Sequence, residues 1–252
     1  MMNREFHVAG LDGCKAGWLV VIAAATQGED MASPYEFAPC NIFVAGTFAE
    51  VLSKTIDCVL ICIDIPIGLS DGDKPRRCDV AARRLLGPRA SSVFPAPIRP
   101  CLLAADYQIA CKISAERSGK KLSKQSFAIL KKIREVDDLM TPALQGRVRE
   151  IHPEVSFWAL NGNQPMPHNK KTLPGQAQRH KLLREVFTDV DGSLSQTPPR
   201  GCVMDDALDA LVAAWTAGQA VLGKAQTLPQ EPELDSKGLR MEMVFPWDDC
   251  TA

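Results

Sequence analysis

The 252-residue sequence has no CxxC pair, no internal repeat and no apolar run approaching membrane-spanning length, and its formal net charge is only −1. The first absence argues against structural zinc and thioredoxin-like chemistry. The scattered, odd-numbered set of nine cysteines reads as buried thiols in a reducing compartment. Without a long apolar run there is no expectation of a membrane span. The polar stretch from Met1 to Phe6 leads directly into a strand pattern, which is neither a secretory signal nor a transit peptide, so the expected location is cytoplasmic. With 46% hydrophobic and 23% charged residues, the chain belongs among globular proteins and not disordered ones.

What is present is unevenly distributed. Residues 76 to 134 hold 14 Lys and Arg against Asp79, Asp106 and Glu116, a local net of +11 in a nearly neutral chain. Such a block suits a polyanion, because neutralised phosphates release their counterions. A solvated helical surface explains the charge equally well.

Residues 6–12 and 18–25 read as two strands joined by a glycine turn, with a third within 36–44. Thr47 is placed to cap a short helix through Lys54. The run Cys58 to Asp64 is continuously apolar up to its aspartate, the pattern of a strand covered on both faces. From Ser70 to Arg147 the pattern changes to a proline-broken loop and two helices. The second is marked by Ile129, Ile133, Val136 and Met140. This stretch reads as a basic helical cap inserted into a single domain spanning the chain. Strand character returns at Val148–Ile151, followed by a short helical turn after Pro153. A helix at Gln176–Phe187, a loop at Ser193–Gly201 and a long helix from about Asp205 to Leu222 come next. An acidic linker at Pro229–Leu239 and an edge strand at Met241–Phe245 complete the reading.

The chemistry is carried by aspartates. Asp12 and Asp64 each end a buried strand, so their carboxylates project beyond the sheet. Brought together, they would repel, and a bound cation is the simplest relief. Asp206 and Asp209 lie three apart and share one face of the late helix, while Ala207, Ala210, Ala213 and Ala214 let that helix approach a sheet closely. Asp205 reads as an N-cap or first-turn charge. Taken singly, each aspartate is as well explained by turn or helix capping. As a set they offer hard oxygen ligands suited to Mg²⁺ or Mn²⁺. Glu150 is a fifth acidic candidate, His152 a general acid or an orienting group, and Lys171 and Arg179 candidates to neutralise a phosphate. Arg83, Arg89, Ser91 and Ser92 belong to an arginine-rich segment around Phe94 with a composition able to hold phosphates and stack a base.

These features together resemble the ribonuclease H fold: a glycine-flanked aspartate in the first strand of a three-stranded meander, an acidic residue ending the fourth strand, and a late helix carrying D-x-x-D-A-L. The late motif resembles that of the Holliday-junction resolvase branch. The chain more specifically resembles the domain of unknown function 429 family, predicted ribonuclease-H-like nucleases. The matching runs are Leu11–Trp18 (LDGCKAGW), Ile63–Leu69 (IDIPIGL), Ala82–Pro97 (ARRLLGPRASSVFPAP), Glu150–Phe157 (EIHPEVSF), the lysine pair Lys170 and Lys171 with Thr172, and Asp205–Leu211 (DDALDAL). His168 and Asn169, before the lysine pair, depart from the serine-like residues expected there.

The resemblance implies an α/β, ribonuclease-H-like mixed five-stranded sheet flanked by helices, with a basic helical insertion between the fourth and fifth strands. It also implies a metal-dependent phosphodiesterase acting on nucleic acid through Asp12, Asp64, Asp206 and Asp209. Two further readings remain at this point. An actin-like phosphotransferase would need a second phosphate loop, for which Asp191, Gly192 and Ser193 are the candidates. A nucleic-acid-binding scaffold of the same fold would keep the carboxylates without turnover.

Overall fold

The computed structural model describes residues 5–28, 34–195 and 199–247. In chain order the elements are β1 (Glu5–Cys14), β2 (Gly17–Gln27), β3 (Tyr35–Ala45), α1 (Phe48–Lys54), β4 (Cys58–Ile63), α2 (Arg77–Leu86), α3 (Tyr107–Ser118), α4 (Lys124–Ala128), α5 (Leu130–Leu139), β5 (Val148–Glu150), α6 (Pro153–Leu160), α7 (Leu173–Val186), α8 (Val190–Ser195), α9 (Met204–Val221), β6 (Ala225–Leu234) and β7 (Arg240–Pro246). The chain divides into two compact units. Among the described residues, the first comprises those of 5–64, 147–226 and 244–247, and the second residues 65–146 and 227–243.

The first unit is built on a five-stranded sheet in the order β3-β2-β1-β4-β5. β1 pairs antiparallel with β2, and β2 with β3, whereas β4 runs parallel to both β1 and β5. This is the mixed sheet expected from the sequence. The apolar runs of β1 and β4 are neighbours at its centre, where strands are covered on both faces and alternation disappears. β3 lies at an edge, which explains how it tolerates Pro39: the β2–β3 register slips between Ile22 and Ala23, opposite that proline.

Helix α9 packs on β1, β2 and β4, and its sequence dictates how closely. A Cβ on Gly10 would meet Ala210 O and Ala214 N, each at 2.1 Å. Helix and strand backbones therefore touch, which only glycine on the strand and alanine on the helix permit. Val8, Leu60 and Cys62 share a core cluster with Ala207, Ala210, Leu211 and Ala214, so one face of the β1–β4 pair is committed to α9. Truncating a buried leucine there, such as Leu211, removes about 2–5 kcal/mol.

The second unit corrects the expectation of a loop and two helices: α2 through α5 are four. Cys78, Ala82 and Leu86 form the buried stripe of α2, a four-residue spacing that the arginines between them obscure in sequence. The expected helix over Ile129–Met140 is interrupted at Ile129, where α4 ends and α5 begins, and Ile133, Val136 and Met140 are buried. The acidic segment after Pro229, expected as a linker, belongs to strand β6, paired with β7. A two-stranded sheet leaves an open edge on each strand, the setting in which prolines such as Pro229 and Pro232 are tolerated. Inside this unit the Arg99 guanidinium bonds both oxygens of Asp137, at 2.8 and 2.7 Å, and also Asp235.

Candidate metal centre

Two strand ends and one helix bring the aspartates of the first unit together. Leu11 pairs with Ile63 in the parallel β1–β4 register, and the Asp64 amide donates to Leu11 O at 3.1 Å. Asp12 and Asp64 are the next residues in the chain: Asp64 directly follows β4, whereas Asp12, expected to end its strand, lies inside β1 and pairs with Leu19. Alternation turns them to the face of Gly10 and Cys62, which α9 covers. From α9, Asp209 arrives one residue before the alanine that abuts Gly10, and it is only 1% exposed. Asp206, one turn earlier, accepts from the Val203 amide at 2.9 Å. It therefore caps the helix, while Asp205 is the first-turn charge that the sequence reading allowed for it and not the N-cap. Asp205 instead accepts from Gln176 Nε2 at 2.7 Å.

The four carboxylates act on one another electrostatically. Burial, then the charges of Asp209 and Asp64, raise the Asp12 carboxyl well above the usual carboxylate range; Asp206 adds to this, and Lys170 opposes it. Burial also raises Asp64, with Asp209 adding and His152 and Lys170 opposing. Asp206 is raised chiefly by burial, against the hydrogen bond from Val203. The cluster thus holds more negative charge than its surroundings neutralise.

Lys170 is the cation the sequence reading missed. Its Nζ lies 2.5 Å from Asp209 Oδ2. Burial disfavours its charge, but Asp209, Asp64, the hydrogen bond to Asp209 and Asp12 outweigh burial and raise its pKa. Its neighbour Lys171, the residue singled out from the sequence, is exposed, and its amide closes a turn onto Asn169 Oδ1 at 3.0 Å. That Asn169 turn and the Thr172 cap on the Gly175 amide, at 3.2 Å, form the loop that the unexpected His168 and Asn169 left open. A Cβ on Gly175 would fall 1.9 Å from Asn169 O, so the loop lies directly on the start of α7.

Arg179 is placed differently from the sequence expectation of a phosphate contact. It is 1% exposed, bonds Glu154 Oε2 at 2.7 Å and the carbonyls of Gly175 and His168 at 3.1 and 3.2 Å, and lies over the Phe157 ring. Its guanidinium is spent on fixing the Lys170 loop. His152 caps α6, its Nδ1 accepting from the Glu154 amide at 3.2 Å. That assigns any ring proton of the neutral form to Nε2, and His152 is near enough to Asp64 to act on its charge.

Glu150 is removed from the cluster by register. It pairs with Ile63 and is buried at 3% exposure. The residues of that row, Leu11, Ile63 and Glu150, face away from α9, whereas Asp12 and Asp64 face it. Strand alternation was the available signal, but it needs the pairing register, which sequence alone does not supply.

Arg83, Arg89, Ser91 and Ser92 lie in the second unit. Arg83 Nη1 donates to Ala90 O and Val93 O at 2.9 and 2.6 Å, closing the 3₁₀ segment Gly87–Ser92 that holds the other three. Ser91 is exposed, and Arg89 and Ser92 are half-buried. The candidate second phosphate loop of the actin-like reading, Asp191–Ser193, forms part of α8, and the Gly192 amide donates to Asp189 Oδ1 at 3.1 Å. It is a helical turn with its own acceptor and leaves no phosphate cradle.

Beside the carboxylates, burial first and then the neighbouring Cys14 thiol push the Cys202 thiol up to about 12. It offers a cation no thiolate near neutral pH, and the donor set that remains is oxygen.

A mixed sheet in the order β3-β2-β1-β4-β5, with one aspartate inside β1 near its C-terminal end, one immediately after β4 and two more on the helix packed over them, defines a ribonuclease-H-like α/β protein with a carboxylate cluster. The chain belongs to the family described as "Protein of unknown function (DUF429)", whose model matches residues 10–234. Among solved structures it is similar to one titled "Thermus thermophilus RuvC structure", with 14% identity and a TM-score of 0.33, covering 86% of this chain and 97% of that one. No curated protein matches the chain. Among the described residues, no helix is long and apolar enough to cross a membrane.

Proposed function

We propose that the protein is a metal-dependent nuclease that hydrolyses phosphodiester bonds in nucleic acid, with Asp12, Asp64, Asp206 and Asp209 holding Mg²⁺ or Mn²⁺. The observation that carries this reading is the set of four carboxylates opposed by one ammonium in a single unit. All donors are hard oxygens, and burial with mutual repulsion holds the Asp12 and Asp64 carboxyls above their ordinary range. A divalent cation relieves that repulsion, so the residues fit the metal. When bound, it would supply Lewis acidity toward the phosphodiester and toward water.

The chain's own groups do the rest. Asp12 and Asp64, on the two central strands, are held by the sheet itself and are the best fixed of the ligands. Asp209, buried and rigid on α9, is the third, and Asp206 divides its oxygens between the cap of α9 and the site. His152, its ring oriented by the Nδ1 contact with the α6 backbone, stands close enough to Asp64 to serve as a general acid or an orienting group. Exposed lysines and arginines on the second unit, Lys112, Arg117, Lys124, Lys131 and Arg134 among them, would supply a sequence-independent attraction to phosphates.

The test is incubation of the purified protein with labelled DNA, RNA, hybrid and junction substrates in Mg²⁺ or Mn²⁺. Metal-dependent cleavage that disappears in Asp12→Asn is expected. Cleavage surviving that substitution would sink the mechanism. Salt-sensitive binding in EDTA without cleavage of any substrate would favour the scaffold reading instead.

A further inference from the structure

Lys170 is not a stray surface lysine. Its loop is pinned from behind by a buried arginine: Arg179 bonds the carbonyls on either side of it, His168 O and Gly175 O, and is itself held by Glu154 Oε2. In front, the ammonium reaches a carboxylate that is almost fully buried, at 2.5 Å. The lysine side chain nevertheless keeps 39% of its surface exposed, so it can leave Asp209 for water without moving the backbone. One fixed anchor, one buried anion and one half-exposed cation form an arrangement in which the cation is delivered to the site but not locked there.

On the metal-centre reading above, we propose that Lys170 is a resident counter-cation of the aspartate cluster, which an entering divalent ion must displace from Asp209. The lysine already holds Asp209 Oδ2, and an ion held by the Asp209 carboxylate would compete with it for the same excess of negative charge. A cation in the cluster meets the ammonium as a like charge at close range, a repulsion that the low-dielectric surroundings strengthen. The lysine thereby sets a threshold of metal concentration below which the site stays closed by its own side chain. Once displaced, the ammonium is still tethered by the Arg179-anchored loop beside the cluster. An anionic oxygen of the substrate is then its natural partner.

The experiment is a Mn²⁺ titration of the full chain, followed by the electron paramagnetic resonance signal of free Mn²⁺, for wild type, Lys170→Met, Lys170→Gln and Lys170→Arg. The two uncharged variants are expected to bind Mn²⁺ at least ~10-fold more tightly than wild type, from loss of one like charge near the ion. Lys170→Arg keeps the charge and is expected to stay at the wild-type level. No tightening in the uncharged variants, or equal tightening in Lys170→Arg, overturns the counter-cation role. The metal-centre reading survives that result so long as wild type binds Mn²⁺ and Asp12→Asn does not. If neither wild type nor Lys170→Met binds Mn²⁺, both fall together.

Discussion

Replacing Asp12 by asparagine should stabilise the metal-free protein, the opposite of what most substitutions at a buried polar position do. The asparagine side chain is nearly isosteric and keeps the Oδ1 acceptor for the Gly13 amide, which Asp12 holds at 2.8 Å. What it removes is a charge whose ionisation in the fold is opposed by burial and by Asp209, Asp64 and Asp206, with Lys170 offsetting only part. The sign follows from linkage: a carboxyl raised in the fold binds its proton more tightly there than in the unfolded chain. Its contribution is intact below the unfolded pKa of about 4 and is lost as pH rises through the folded value. In EDTA at pH 7.5, Asp12→Asn should therefore unfold at a higher Tm than wild type. The gain should shrink as pH falls toward 4. Millimolar Mn²⁺ should raise the Tm of wild type and leave the variant unmoved. Thermal unfolding by circular dichroism measures all of this. A variant no more stable than wild type in EDTA at pH 7.5 would refute the claim that this carboxylate is under electrostatic strain.

Three further outcomes follow. Gly10→Ala places a methyl within 2.1 Å of the α9 backbone, and the forced separation of helix and strand should cost about 1–3 kcal/mol or more, read as a lower urea midpoint. Arg179→Met leaves Glu154 as an unpaired buried charge and should cost about 3–5 kcal/mol. Circular dichroism would check that cost, and an arginine replaced without loss would show that the buried pair carries little. Neutralising Lys112, Lys124 and Lys131 together should weaken binding to any nucleic acid and flatten the dependence of log K on log salt by up to about 3, measurable by fluorescence anisotropy in EDTA. An unchanged slope would remove the basic face from the interface.

The parts of this molecule that could be read from sequence are those set by local pattern. The apolar runs ending in Asp12 and Asp64 declare two central strands, and the alanine spacing of α9 declares a helix laid against them. What the sequence concealed depends on partners far along the chain. Glu150 looks like a ligand until the β4–β5 register turns it to the opposite face. Arg179 looks like a phosphate contact until the fold buries it against Glu154. Lys170 and Lys171 are indistinguishable until the Asn169 turn and the Thr172 cap settle which of them reaches Asp209. Helix α2 was hidden because its exposed arginines mask a short Cys78, Ala82, Leu86 stripe, and β6 because prolines argue against a strand except at an open edge.

The most direct measurement is a crystal structure of the protein soaked in millimolar Mn²⁺, with the ion identified by its anomalous signal. Manganese is expected on the carboxylates of Asp12, Asp64 and Asp209, with Lys170 Nζ withdrawn from Asp209 Oδ2. Carboxylates without bound manganese at that concentration, with the lysine still seated on Asp209, would contradict the metal-centre reading.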